Sequence, residues 1–245
     1  MEAWAPLICR PFWNNICNGM DMYFRQVVTI FRKDLLSEWR GKEMLSSMLI
    51  FGLLVIVVFS FAFEPDTEET ALLMPGLLWI AMGFAAILGL NRSFAGELRL
   101  GALQGLLLAP MDRSAIYLGK VGANLAFMLI ADAILLTCFA VLYNYSIMPI
   151  LGRLLLIVFL GTAGFAIVGT LFSAVALNTR MSEVLLPILQ LPITVPLMIA
   201  AIEATAALAD PRGMERYYGW LQMLTAFDII FFILCLWLFE YVIEE

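Results

Sequence analysis

The sequence predicts an all-α, polytopic membrane protein with six transmembrane helices, and three observations carry that prediction. Of its 245 residues, 63% are apolar and only 14% are charged, against about 45–50% and about 25% in soluble domains. Six separate stretches reach the roughly 20 apolar residues that a helix needs to cross a bilayer. Basic residues collect on one side of the resulting topology. The runs do not alternate as barrel strands do, and backbone groups inside hydrocarbon must be paired internally, so helices are the expected form.

Taken in order, residues 1–19 read as an N-terminal extension. They mix Trp, Pro, Asn and Cys without the continuous apolar core of a signal peptide. Residues 20–42 read as an amphipathic helix. Phe24, Val27, Val28, Phe31, Leu35 and Trp39 recur at helical spacing, with Arg25, Arg32, Lys33 and Arg40 away from that stripe. Such a segment, running straight into a span, is expected to lie along the inner leaflet in contact with membrane lipid. The transmembrane body follows as 43–245, with spans expected at Met44–Phe63, Ala71–Leu90, Val121–Leu142, Leu154–Ala176, Val184–Ala207 and Leu221–Ile243.

Six crossings place both termini on one side. Eleven of the fourteen basic residues fall on that side, while Arg153, Arg212 and Arg216 fall on the other, beside the acidic first loop Glu64–Thr70. The positive-inside rule makes the basic side cytoplasmic. The net charge of −6 argues against a nucleic-acid partner.

The 28-residue stretch Asn91–Leu118, between spans two and three, is unusual. Its centre, Phe94 to Pro110, is too short to span and too apolar for a solvated loop. It reads as a short helix, ended by Pro110, that docks onto another protein or onto the interface.

No engine of its own is visible. Gly41-Lys42 and Gly119-Lys120 lack both the following Ser/Thr and the earlier Gly of a Walker A loop. Histidine is absent, and Cys9, Cys17, Cys138 and Cys235 form no CxxC. No catalytic residue and no metal site is therefore expected.

Span five holds Pro187, Pro192 and Pro196. Each removes a helix hydrogen bond, so the three are expected to bend or break the helix, either as a static kink or as a hinge. Asp132 lies near the middle of span three, and Glu203 and Asp228 lie nearer the outer side on spans five and six. Intramembrane carboxyls are costly and by default functional, the plainer reading being a hydrogen-bonded carboxyl inside the bundle. No Lys or Arg is expected in a span core to pair with them. Thr162, Ala166, Thr170 and Ala174, with Gly161, Gly164 and Gly169, give span four a small-residue face suited to close packing, against this chain or a second copy.

Two blocks carry a family resemblance. One is Phe94-x-x-Glu97-x-x-x-Gly101-x-Leu103-x-x-Leu106-x-Leu108-x-Pro110, followed by Lys120. The other runs from Leu185 to Leu197 through the three prolines. The opening Phe31-x-x-Asp34-Leu35-x-x-Glu38-x-Arg40 fits as well. Over roughly residues 24–243 the chain resembles CcmB, the permease subunit of the cytochrome c maturation ABC transporter. Gln104 departs from the Glu of many members.

The resemblance implies an ABC-2 exporter-like permease in the bacterial inner membrane, paired with a second copy of itself. It implies a separate CcmA-like ATPase subunit that binds ATP, with Phe94, Glu97, Leu98, Gly101, Leu103 and Pro110 forming the coupling helix docked on it. CcmC-like, CcmD-like and CcmE-like proteins would be further partners. The work would be haem export or release of the haem chaperone, with haem as cargo and no cofactor resident on this chain. Two alternatives remain: an ABC-2 permease for a lipid, glycan or drug, and a non-transporting scaffold of an assembly complex.

Overall fold

The computed structural model describes residues 5–63, 68–100, 112–143, 148–177, 182–210 and 212–242, and only the backbone of 5–21, 68–71, 93–100, 177 and 182–185. These residues form seven α-helices and no strand: α1 Ala5–Gly41, α2 Glu43–Ala62, α3 Glu68–Leu100, α4 Arg113–Leu142, α5 Leu151–Leu177, α6 Ser182–Ala209 and α7 Met214–Val242. A single 3-10 turn, Met148–Ile150, leads into α5.

Six of the helices are long and apolar enough to cross a membrane, over Glu43–Ala62, Leu72–Arg92, Arg113–Leu142, Met148–Ala176, Leu186–Ala209 and Met214–Val242. The third and sixth start earlier than the hydropathy of the sequence suggests, because polar residues such as Lys120 and Arg216 do not interrupt helix geometry. They lengthen the helix beyond its apolar part.

Helix α1 also starts earlier than expected, at Ala5 rather than Met20. Pro6 stands in its first turn, where a missing N–H leaves nothing unpaired. One residue separates α1 from α2. Lys42 adopts φ 54°, ψ 19°, the left-handed conformation, and the chain enters α2 at once.

The fifth span departs from expectation in a different way. Helix α6 is continuous through Pro187, Pro192 and Pro196, so the prolines do not break it. Between two of them, the Thr194 hydroxyl donates to the carbonyls of Gln190 (3.1 Å) and Leu191 (3.3 Å).

Helix α5 is the axis of the bundle. It touches α3, α4, α6 and α7, and 72% of its span is buried against 17% for α7. Its small residues allow this. The ring of Trp79 on α3 fills the space a side chain at Gly161 would occupy, and Leu197 on α6 does the same at Gly164. Helix α2 lies outside, on α3 and α4, and α1 lies mainly on α4.

Candidate functional site

The polar side chains of the spans converge on α5. From α4, the Asp132 carboxylate accepts a 2.7 Å hydrogen bond from the Thr162 hydroxyl. One stretch closer to the basic end, the Asn124 amide donates to the Thr170 hydroxyl at 3.0 Å, and the Tyr117 hydroxyl donates to the Ile167 carbonyl at 2.9 Å. All of these groups are buried. The α4–α5 interface is thus held by hydrogen bonds that lipid cannot supply.

The opposite flank of α5 differs. Asp228 of α7 lies beside Gly164, so close that a Cβ there would meet its Oδ1 at 2.8 Å. Gln190 of α6 lies beside Gly169 in the same way, with its Nε2 at 2.8 Å from that position. Both side chains are buried, and among the described residues neither carboxylate oxygen of Asp228 and neither amide atom of Gln190 has a hydrogen-bond partner. Thr162 and Gly164 are two positions apart, about 200° around the helix and about 3 Å along it. Asp132 and Asp228 therefore reach α5 at nearly one level from opposite sides, and Asp228 sits near the middle of the bundle rather than toward its outer side.

Glu203 does not belong to this set. It forms a 2.8 Å ion pair with Arg216 at the start of α7, and both side chains are exposed. A basic residue also enters a span after all: Lys120 on α4 is 3% exposed. It stands twelve residues before Asp132 in the same helix and meets Asp34 of α1 at 3.6 Å instead.

That ion pair belongs to a second constellation, at the basic end, where α1 docks on the first turns of α4. Gly119 and Gly122 leave a shallow path. Ile30 sits over the first, within 2.8 Å of where a Cβ would be, and Phe31 over the second at 3.2 Å. The Tyr23 hydroxyl donates to Ser114 Oγ at 3.1 Å. The buried side of α1 is thus Tyr23, Val27, Ile30 and Asp34, turned from the apolar stripe expected from the sequence. Phe24 and Trp39 of that stripe are exposed.

Glu38 closes the joint to α2. Its Oε1 accepts hydrogen bonds from the N–H groups of Met44 (2.7 Å) and Leu45 (3.1 Å), capping the first turn. Partial burial pushes its carboxyl above the ordinary value, the two N–H groups pull it back, and nearby Glu43 pushes it up again.

The expected docking segment lies largely outside the described residues. Phe94, Glu97 and Leu98 fall on the last turns of α3, whose backbone alone is described, and Gly101, Leu103 and Pro110 fall outside. Helix α3 does continue eight residues beyond its span, to Leu100. Among the described residues no group of His, Cys, Asp and Glu could hold a metal ion.

Several of these contacts were not foreseen. Asn124 and Trp79, whose indole donates to Thr205 at 3.0 Å, carried no sequence signal beyond being polar or aromatic within apolar runs, while Gln190 lies inside the second resemblance block. Lys120 and Asp34 both lie in the resemblance blocks, and their pairing could have been sought there.

Comparison with known proteins covers nearly all of these elements. The family CcmB protein matches residues 25–243. Heme exporter protein B of Pseudomonas aeruginosa is 28% identical over 188 residues, covering 77% of this chain and 84% of that protein. Heme exporter protein B of Shigella flexneri is 30% identical over 212 residues, covering 80% and 89%. Its namesake from Escherichia coli (strain K12) is 29% identical over the same shares. With a match that takes in all six spanning helices and most of the α1 docking surface, this chain belongs to the CcmB protein family.

Proposed function

We propose that the chain is the membrane permease subunit of an ABC transporter for cytochrome c maturation, serving haem export or release of the haem chaperone. The observation that carries this reading is the extent of the family match, residues 25–243, together with relatives named heme exporter protein B that align over most of their length. ATP is bound and hydrolysed by a separate CcmA-like subunit. The chain sits in the bacterial inner membrane with both termini cytoplasmic, consistent with eleven of its basic residues at that end. CcmC-like, CcmD-like and CcmE-like proteins and a second copy of the chain complete the assembly.

In this reading the segment Phe94–Pro110 takes the stroke of the ATPase. Glu97 and Gly101 are its central residues, with Phe94, Leu98, Leu103 and Pro110 as the apolar contacts. The extension of α3 past the bilayer supports it, since a helix that projects from a span moves that span when it is pushed. Pro187, Pro192 and Pro196 leave α6 the spanning helix with the most proline, suited to flexing. Asp132 and Asp228 mark two flanks of α5; among the described residues the first is hydrogen-bonded across it and the second is not.

The test is purification of the chain from its native membrane, followed by ATPase assays on Glu97→Ala and Gly101→Val variants. A co-purifying ATPase and haem-binding membrane protein, with ATP turnover uncoupled by the variants while the chain stays in the membrane, is the expected result. An isolated chain would favour a scaffold. An ATPase without a haem protein would favour another cargo, and unchanged coupling would remove the docking role of Phe94–Pro110.

A further inference from the structure

Two buried polar side chains beside α5 take no part in the hydrogen bonding that ties α4 to it. Asp228 of α7 is 9% exposed and Gln190 of α6 is fully buried. Among the described residues neither has a hydrogen-bond partner at any side-chain oxygen or nitrogen. Asp228 is also the central residue of the Met214–Val242 span, as far from one end as from the other. Its Oδ1 lies against Gly164, with the methyl groups of Leu197 at the same place, so no counter-ion fits on that side.

A carboxylate placed this way has neither water nor a donor to spread its charge, whereas a neutral carboxylic acid loses far less on leaving water. The helices packed on α7 are α4, α5 and α6. Their titratable and charged residues are Arg153 on α5, Glu183 and Glu203 on α6, and Arg113, Tyr117, Lys120, Asp132 and Cys138 on α4. None of them supplies Asp228 with a hydrogen bond. Arg153 stands about three turns from Gly164. Glu203 pairs with Arg216 at the exposed end, Asp132 takes its hydrogen bond from Thr162 on the other side of α5, and Lys120 meets Asp34. On α7 itself the nearest such residue is Cys235, about two turns away.

Helix α6 gives the site a direction. Gln190 packs at Gly169 and Leu197 at Gly164, so Gln190, Thr194 and Leu197 follow one another on the side of α6 that meets α5. Thr194 is fully buried as well. Beyond Leu197 the same side carries Ala201 and Ala204, both fully buried. A path along α6 to Asp228 is therefore polar from the end at Ser182, which is the basic end, and apolar from the end at Ala209.

We infer that Asp228 is a proton-binding site at the centre of the membrane, holding its proton while α7 is seated on Gly164 and exchanging it past Thr194 and Gln190 with water at the basic end when α7 and α5 part. Uptake forms the carboxyl O–H bond and release breaks it, with water as the donor and the acceptor. Protonation favours the seated helix, because the ionised carboxyl is far better accommodated in water. Parting of α7 from α5 is thus favoured as the pH at that end rises.

The test uses the full chain with isotope-labelled aspartate in lipid nanodiscs, followed by infrared spectroscopy near neutral pH. A protonated carboxyl has a carbonyl stretch that a carboxylate lacks. That label-sensitive band should be present in wild type, kept in Asp132→Asn and lost in Asp228→Asn. Asp228→Glu keeps an acid at the site and should also lose the aspartate band, so the assignment does not hang on the folding of the asparagine variant. On transfer to heavy water the band should shift as the proton is replaced. Gln190→Leu/Thr194→Val should slow this shift by about tenfold or more, and Asn124→Leu, on the α4 flank, should leave its rate as in wild type. A band absent from Asp132→Asn, or kept in both Asp228 variants, would overturn the proton site. An unchanged rate in Gln190→Leu/Thr194→Val, or equal slowing in Asn124→Leu, would overturn the route. Neither measurement requires ATP or haem, so both stand apart from the transporter reading.

Discussion

The Thr162 hydroxyl of α5 and the Asp132 carboxylate of α4 meet at 2.7 Å in the buried interior of the bundle. Removing the hydroxyl takes from the buried carboxyl the one hydrogen-bond partner it has among the described residues. Thr162→Val should destabilise the protein by about 1–3 kcal/mol, whereas Thr162→Ser should be close to wild type. A Thr162→Val/Asp132→Val double variant should recover part of the loss, because no polar group is then stranded. Thermal unfolding in one detergent of wild type, these three variants and Asp132→Val alone checks this, and a double variant as weak as the sum of the Thr162→Val and Asp132→Val losses would contradict it.

Gly161 makes room for the indole of Trp79, whose ring occupies the place of a Cβ. Gly161→Val should therefore prevent α3 and α5 from reaching their native separation. The expected outcome is loss of monodisperse protein on size-exclusion chromatography. Gly152, with nothing within 4 Å of a built Cβ, is the control: Gly152→Ala should behave as wild type.

Glu38 supplies a pH dependence whose sign can be worked out. Its carboxyl holds its proton more tightly in the folded chain than the ordinary value of 4.5, burial being the main cause. The folded state is thus favoured by protonation. The contribution is fully present below about 4.5 and is lost as the pH rises through the higher folded value. Glu38→Gln keeps an oxygen for the N–H groups of Met44 and Leu45 but carries no charge. Relative to this variant, wild type should lose thermal stability from pH 4 to pH 7, and a constant difference across that range would refute the prediction. Glu38→Ala should be less stable than Glu38→Gln throughout, since the cap itself is gone.

Asp34 joins α1 to α4 through Lys120, which is almost wholly buried. Asp34→Ala should loosen α1 from the first turns of α4 without unfolding the bundle. Hydrogen exchange of the 23–34 amides should accelerate while that of α5 stays unchanged. Equal acceleration in both would mean that α1 is part of the cooperative core. The exposed Glu203–Arg216 pair provides the contrast: Arg216→Ala should change stability by no more than about 1 kcal/mol.

The chain contains no histidine. If it meets haem, iron ligation by imidazole has to come from partner subunits. The purified chain titrated with haem should therefore give no bis-histidine absorption signature, and the co-purified assembly should give one. Such a signature from the chain alone would refute this.

The spans were legible in the sequence because each rests on a property that sums over twenty residues, and errors at single positions do not matter. The site was less legible because its contacts depend on single positions. Asp132 stood out as a charge in hydrocarbon, but nothing local identified Thr162, thirty residues on, as its partner. The α1 stripe was visible as periodicity, yet periodicity fixes which residues share a side and not which side meets a neighbour. Gly119 and Gly122 made that choice, by letting Ile30 and Phe31 approach α4. Hydropathy places Lys120 outside a span, while in the fold it lies in the first turns of α4, where α1 packs. The prolines of α6 pointed to a bent or a broken helix from a local hydrogen-bond argument, and the helix is continuous through all three, which removes the break.

The joint at Lys42 has a mechanical meaning. With one residue between two helices, the angle between α1 and the first spanning helix is set by a single pair of backbone rotations, 54° and 19°. There is no slack in such a linkage. A push that tilts α1 must either tilt α2 with it or drive residue 42 out of a conformation in which lysine already sits uneasily. Glycine at this position would let the two helices swing independently, and a β-branched residue, which avoids the left-handed region, would strain the elbow.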